Sequence, residues 1–300
     1  MGAGEKRANS EAGMATDTAE REIFETRVVD APRELVWELW TAPKHVSNWW
    51  GPRGFTTTTS EMDVRPGGVW LHVMHGPDGR NYPNKIVYQE VVKPARIVYN
   101  HESYPPFHTT VTFEGLGTKT KITMRMVFET AELRNRTDRE HGAVEGLKQT
   151  LARLGEQAVK IPVIVERMFD APAERVWKAI TEIEQMKHWF MGELQSFKAE
   201  VGFETEFTVH YDGKDYPHLW RVIEVVPGRK VAVEWKFGGY SGVSVATMEV
   251  FPEGAKTRLR LTHEGVDSHP QDNPDFARGT FHEGWNDLIE KRLKEYLEKA

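Results

Sequence analysis

The sequence predicts an α+β protein of two consecutive domains, each a curved antiparallel sheet around a long C-terminal helix. Three observations point there. Asp30, Ala31, Pro32, Val36 and Trp37, followed by Trp49 and Trp50, return 140 residues later as Asp170, Ala171, Pro172, Val176 and Trp177, followed by Trp189 and Phe190. A repeat of that period has to be recognised before any motif is weighed, because it sets the architecture. Between these markers, short alternating runs are separated by turn residues at close spacing, as in an antiparallel meander. Each unit then ends on a segment of helical period, with Ala143, Leu147, Leu151 and Leu154 on one stripe in the first copy.

The expected domains are residues 21–156 and 160–299, after a leader at residues 1–20 that is rich in Gly, Ala, Glu and Ser and reads as disordered, with Met14 an alternative start. In the first domain, Ile23 to Val29 alternates as a strand. Asp30 is placed to cap a helix that Pro32 opens, with Leu35, Val36, Leu39 and Trp40 as its buried stripe. A second short helix runs from about Pro43 to Trp49. About six strands follow from Phe55 to Phe128, broken at Pro66 to Gly68, Asp78 with Gly79, Pro94, and Gly115 with Gly117. One long helix closes the unit, and residues 155–160 form a short connection.

The second domain repeats this order: strand Val163 to Phe169, helix Pro172 to Thr181, a short helix to Phe190, a meander to His263, and a long helix from about Pro274 to Leu297. Gly79, Tyr82, Pro83 and Glu90 recur as Gly213, Tyr216, Pro217 and Glu224. Alternation turns Val231, Val233, Trp235 and Phe237 inward, and His263 with Leu259 and Leu261. Ile97, Tyr99 and His101 take the matching strand of the first domain, and Ile122, Met124, Met126 and Phe128 its last strand. The direction of Trp70 and His72 stays open, because Gly68 aligns with Gly202 in two registers.

Composition narrows the function. The formal charge of −6 is mixed in sign along the chain, without the basic stripe of a nucleic-acid partner or a polybasic membrane anchor. No stretch reaches the roughly 18 apolar residues of a membrane span. The 300 residues contain no cysteine, which excludes disulfides and thiolate metal sites and suits a reducing, cytoplasmic location.

Candidate site residues are the ligand-binding kind, without a catalytic or metal-ligating assignment. They are Trp49, Trp50, Tyr99, His101, Met124 and Met126 in the first domain, and Trp189, Phe190, Trp235, His263 and Trp285 in the second. The paired aromatics read either as a pocket lip or as a cap on the core. His101 and His263 orient a ligand, act as an acid or base, or satisfy one internal hydrogen bond, and they stand on different strands in the two copies. Asp63, Arg65, Pro66, Gly67 and Gly68 read as an ion pair beside a pocket or simply as a tight turn. His282 with Glu283 lacks the second histidine of a zinc-peptidase helix. No nucleophile elbow, phosphate loop or dinucleotide fingerprint is present.

The pattern resembles the START-like, or SRPBCC, superfamily with its helix-grip (Bet v 1-like) fold. Both units are similar to the family named after the activator of the heat-shock protein 90 ATPase. The resemblance rests on Asp30 to Pro32, Val36 with Trp37, Trp49 to Pro52, Asp63, Arg65 to Gly68, Trp70 and Gly76 to Gly79. In the second unit it rests on Asp170 to Pro172, Trp177, Trp189, Val225 to Gly228, Thr262 with His263, and Gly284 with Trp285. It implies a hydrophobic cavity in each domain. The expected function is non-enzymatic binding of a small hydrophobic molecule, without a cofactor. The alternatives are a co-chaperone-like activator with the chaperone as partner, and an enzyme of the cyclase, aromatase or hydrolase kind. The Asn- and Trp-rich motif of the chaperone activator has no counterpart here.

Overall fold

The structure, a computed structural model, describes residues 18–299. The expected leader lies outside that range as far as residue 17, and Ala19–Arg21 form one 3-10 turn. The chain divides into two compact units between Ala158 and Val159. No described helix is long and apolar enough to cross a membrane.

Unit 1 opens with β1 (Glu22–Val29) and turns at the Asp-Ala-Pro stretch into α1 (Arg33–Thr41). Pro32, not Asp30, occupies the cap position, and its carbonyl accepts from the Leu35 and Val36 N–H groups. A proline there gives up no hydrogen bond and fixes φ for the first turn. Ala31 is fully buried, and its carbonyl accepts from Thr120 Oγ1 at 2.7 Å, which ties the corner to the last strand. Val36, Trp37, Leu39 and Trp40 form the buried stripe, and α2 (Pro43–Val46) follows directly.

Six strands then run as a meander, as the turn signals indicate: β2 (Thr56–Met62), β3 (Val69–His75), β4 (Asn81–Val92), β5 (Arg96–His101), β6 (Phe107–Leu116) and β7 (Lys119–Phe128). With β1 they form one antiparallel sheet in the order β1-β7-β6-β5-β4-β3-β2. Bulges between Thr59 and Glu61 and between Tyr88 and Glu90 bend it. Arg65 pairs with Asp63 on the surface, and a Cβ on Gly68 would stand 2.1 Å from the Asp63 carbonyl, so this stretch is a tight turn.

The single helix expected after Glu129 is two, α3 (Ala131–His141) and α4 (Ala143–Lys160), separated by Gly142 at φ 60°. Glycine enters that left-handed conformation without a Cβ penalty and so ends the first helix. α4 also continues through residues 155–160, where a connection is expected. Leu154 and Ala158 are fully buried, and this contact holds the last turn in place. Only Ile161 and Pro162 remain between α4 and the next strand.

Unit 2 repeats the corner. β8 (Val163–Phe169) leads through Pro172 into α5 (Ala173–Thr181) and α6 (Ile183–Met186), and Thr257 Oγ1 donates to the Ala171 carbonyl at 2.7 Å. Five strands follow instead of six: β9 (Glu204–Tyr211), β10 (Lys214–Val226), β11 (Lys230–Phe237), β12 (Ser244–Glu253) and β13 (Lys256–Glu264), in the order β8-β13-β12-β11-β10-β9. Where unit 1 has β2, residues 194–200 bury Leu194 and Phe197 in the core without forming a strand. The closing helix starts at Arg278, since Pro274–Phe276 is a 3-10 turn. It runs as α7 (Arg278–Asn286), a π-helical stretch (Asp287–Leu293) and α8 (Lys294–Lys299). Ile289, Leu293 and Leu297 are buried at a spacing of four, wider than an α-turn, and the π-turns absorb the drift.

The open register is settled by two matching bonds. Gly67 N–H donates to Tyr88 O and Gly202 N–H to Val222 O, both at 2.8 Å, so Gly202 matches Gly67. Trp70 and His72 therefore correspond to Thr205 and Phe207, and both residues of unit 1 point inward.

Candidate functional site

The tryptophans at the helix corner are mainly scaffold. Trp49 is fully buried, with its Nε1–H donating to the Leu39 carbonyl at 2.9 Å, and Trp40 packs on it with ring centroids 4.9 Å apart. Trp189 repeats this bond to the Ala179 carbonyl at 2.8 Å. Trp49 and Trp189 thus face the inside of the corner. Trp50 turns the other way, against Trp70 at 4.9 Å, and forms part of a cavity wall.

That cavity, of about 1060 Å³, lies in unit 1 between the concave sheet and the helices that close it. Trp50, Tyr99, His101, Met124 and Met126 all line it, with Ile86, Phe107 and Leu147 adding apolar wall. Its charged wall residues are Lys85 and Glu140, exposed at the mouth beside His141, and Lys85 is paired with Glu102 at 2.8 Å. The inner wall is mainly apolar; besides Tyr99, Thr137 and Thr150, its buried polar groups form a row that the sheet assembles from three strands. His72 on β3 is the register partner of Asn84 on β4, and Asn84 Oδ1 is 2.7 Å from His101 Nε2 on β5.

His101 stands between two acceptors, because the Pro105 carbonyl is 2.9 Å from its Nδ1. Asn84 Nδ2–H is already engaged, donating to Tyr82 O at 2.7 Å. A neutral imidazole serves one acceptor, whereas an imidazolium serves both. Burial lowers the pKa of His101, opposed by its bonds to the backbone at Pro105 and Ser103. His72, 3% exposed, is pushed down to about 3 by burial and then by His101, so it is neutral near pH 7. Its ring stacks on Trp70 at 4.0 Å, and its Nδ1 is buried without a hydrogen-bond partner among the described residues. Burial also raises the Tyr99 phenol.

The same positions in unit 2 are Phe207, His218 and Trp235, and the space there is about 380 Å³. Trp235 and Trp285 line it, together with Phe237, Phe276 and Phe281. Asp275 at its edge is held by Lys214 Nζ at 2.8 Å and by the Tyr216 hydroxyl. Trp189 and Phe190 instead border a separate surface depression of about 430 Å³ with Arg292, Glu295 and Tyr296.

His263 is fully buried outside that wall, in a closed chain of hydrogen bonds. Trp285 Nε1–H donates to His263 Nδ1 at 3.0 Å, which leaves the proton on Nε2 to be donated to Ser244 Oγ at 2.8 Å. The Ser244 hydroxyl in turn reaches His269 Nε2 at 2.9 Å. Ser244 with a histidine resembles a nucleophile and its base, but Ser244 is 1% exposed and does not line the unit 2 cavity. The chain is internal support. Burial, and then His269, push His263 down to about 3.

The mouth of the unit 1 cavity is held by Arg153 on α4. Its Nη1 donates to the carbonyls of Gly51 (2.8 Å), Pro52 (2.9 Å) and Phe55 (3.1 Å), and its Nη2 to Asn48 at 3.3 Å. Gly51, Pro52 and Phe55 are cavity wall. Arg153→Met is expected to cost about 2 kcal/mol, in line with charge-assisted hydrogen bonds. Chemical denaturation checks this, and an unchanged midpoint would show that the loop holds its shape without the clamp.

Sequence reading missed His72, Asn84, Ser244, His269 and Arg153. Alternation along β4 carries a signal for Asn84, which shares a face with Ile86. Nothing local marks the others. Among the described residues no group of three or more His, Asp or Glu could hold a metal ion.

Several proteins of known structure are similar to the chain or to part of it. A crystal structure of a Nitrosomonas europaea protein is similar to part of the chain, with 26% identity over 46% of this chain and 94% of that one, and a TM-score of 0.43. A Mesorhizobium loti protein is 26% identical over 46% of this chain and 98% of its own, with a TM-score of 0.37. DynU16, from the dynemicin biosynthetic locus, is 17% identical and spans 92% of this chain and 99% of its own, with a TM-score of 0.36. No curated protein matches the sequence. The family described as Activator of Hsp90 ATPase homolog 1-like protein matches twice, at residues 30–158 and 170–298, and the chain belongs to that family as two consecutive copies.

Proposed function

We propose that the protein binds a small hydrophobic molecule without reacting with it, and that unit 1 holds the working cavity. The observation that carries this is the space of about 1060 Å³ with mainly apolar inner walls, a few buried polar groups, and Lys85 and Glu140 exposed at its mouth. Ligand pockets span roughly 300–1,000 Å³ and pair such walls with a few placed polar groups. The unit 2 cavity, at about 380 Å³, is at the lower limit of that range because aromatic side chains of the unit itself occupy the row. The reading needs no cofactor, and it carries a cytoplasmic location on the strength of the cysteine-free sequence.

Titration of the full chain with Nile red, followed by fluorescence, tests the proposal, together with native mass spectrometry of the protein as purified. Saturable binding of one probe per chain is expected. Absence of saturation, or two equivalent sites, would refute it.

A further inference from the structure

We propose that the unit 1 cavity selects a neutral apolar molecule carrying a hydroxyl group, which hydrogen-bonds to the imidazole of His72. This rests on the reading of unit 1 as a binding module and adds the chemical class of its ligand. His72 is 3% exposed, belongs to the cavity wall, and keeps a buried ring nitrogen unpaired among the described residues. That nitrogen, Nδ1, is sealed from the cavity, and Nε2, which makes no hydrogen bond among the described residues either, is the one that a ligand group in a cavity of this size can reach.

The surroundings decide which partner. Trp70 stacks on the ring and Trp50 meets it edge-on at 6.1 Å, so His72 is braced and cannot swing toward another acceptor without breaking that packing. The adjacent polar groups, Asn84 and His101, are engaged with each other and with the Tyr82 and Pro105 carbonyls. A neutral imidazole offers one N–H and one lone pair, and a hydroxyl, both donor and acceptor, complements either.

A charged head group fits poorly. The charged wall residues Lys85 and Glu140 are exposed, and Lys85 is taken by Glu102. A carboxylate or ammonium brought to His72 would be desolvated without an opposite charge beside it. Unit 2 lacks the feature, because Phe207 stands where His72 does.

The test uses three probes of one shape on the full chain near pH 7, read by tryptophan fluorescence or calorimetry: 2-naphthol, 2-methylnaphthalene and 2-naphthoate. The naphthol is expected to bind about tenfold tighter than the methylnaphthalene, with the carboxylate weakest. In H72F the ratio of the first two affinities should fall to about one. Equal affinities for the first two in the unmodified protein, or a carboxylate that binds tightest, would overturn the ligand class while leaving the binding module standing. If none of the three saturates, the binding reading itself falls. Should H72F not fold, the order of affinities in the unmodified protein decides alone.

Discussion

Lowering the pH from about 7 to about 4.5 is expected to remove several kcal/mol of stability, and more of it from unit 2 than from unit 1. His72 in unit 1 and His218 and His263 in unit 2 are buried, and burial pushes them down to about 3, about 4 and about 3 from an ordinary 6.5. The unfolded chain takes up these protons as the pH falls through 6.5, while the folded chain stays neutral until near 4. The unfolded state therefore binds more protons across that window, so stability is full above about pH 7 and declines on acidification. At pH 4.5 each histidine accounts for about 2–3 kcal/mol at most. The lowered carboxyls of Glu166, bonded to Arg260, and of Asp275, bonded to Lys214, add to the same trend at lower pH. Urea titrations at about pH 7, 5.5 and 4.5 measure the loss, and a midpoint that stays constant would contradict the neutral buried state.

Trp235→Ala is expected to cost about 3–5 kcal/mol and to open a second binding site. The Trp235 ring packs against Trp220 at 4.7 Å, His218 at 5.2 Å, His263 at 5.3 Å and Trp285 at 5.6 Å. Its indole N–H has no partner among the described residues, so the loss is one of packing rather than of a hydrogen bond. The ring also forms part of the unit 2 cavity wall, at the position where unit 1 has His101. Truncation should enlarge that space and raise Nile red stoichiometry from one to two. Trp235→Leu serves if the alanine variant is too unstable to titrate. A stability loss below about 1 kcal/mol, with stoichiometry unchanged, would mean that the unit 2 core collapses into the gap.

The repeat, the meander and the inward faces of β11 and β13 were legible because each follows from a local period. Val163 to Phe169 is a strand from the first residue to the last, and Val231, Val233, Trp235 and Phe237 are all buried. The helix ends were less legible. Gly155 suggests a break, yet burial of Leu154 and Ala158 carries α4 to Lys160. The polar row was hidden for a different reason. His72, Asn84 and His101 come from three strands, and their adjacency depends on which of two successive glycines faces the bulge at Tyr88. That choice is made by a long-range ladder, and no window of sequence contains it. Trp49 and Trp50 are neighbours of one residue type, and only the bond from Trp49 to Leu39 separates the scaffold indole from the wall indole.

The corner bonds occur in matching pairs: Thr120 to Ala31 and Thr257 to Ala171, Trp49 to Leu39 and Trp189 to Ala179. None of these eight residues lines the larger or the smaller cavity. The chassis and the upholstery of each unit are thus separate sets of side chains. One chain consequently carries its own reference specimen, since a substitution in either lining can be judged against an unaltered copy with the same frame, expressed, purified and titrated in the same molecule.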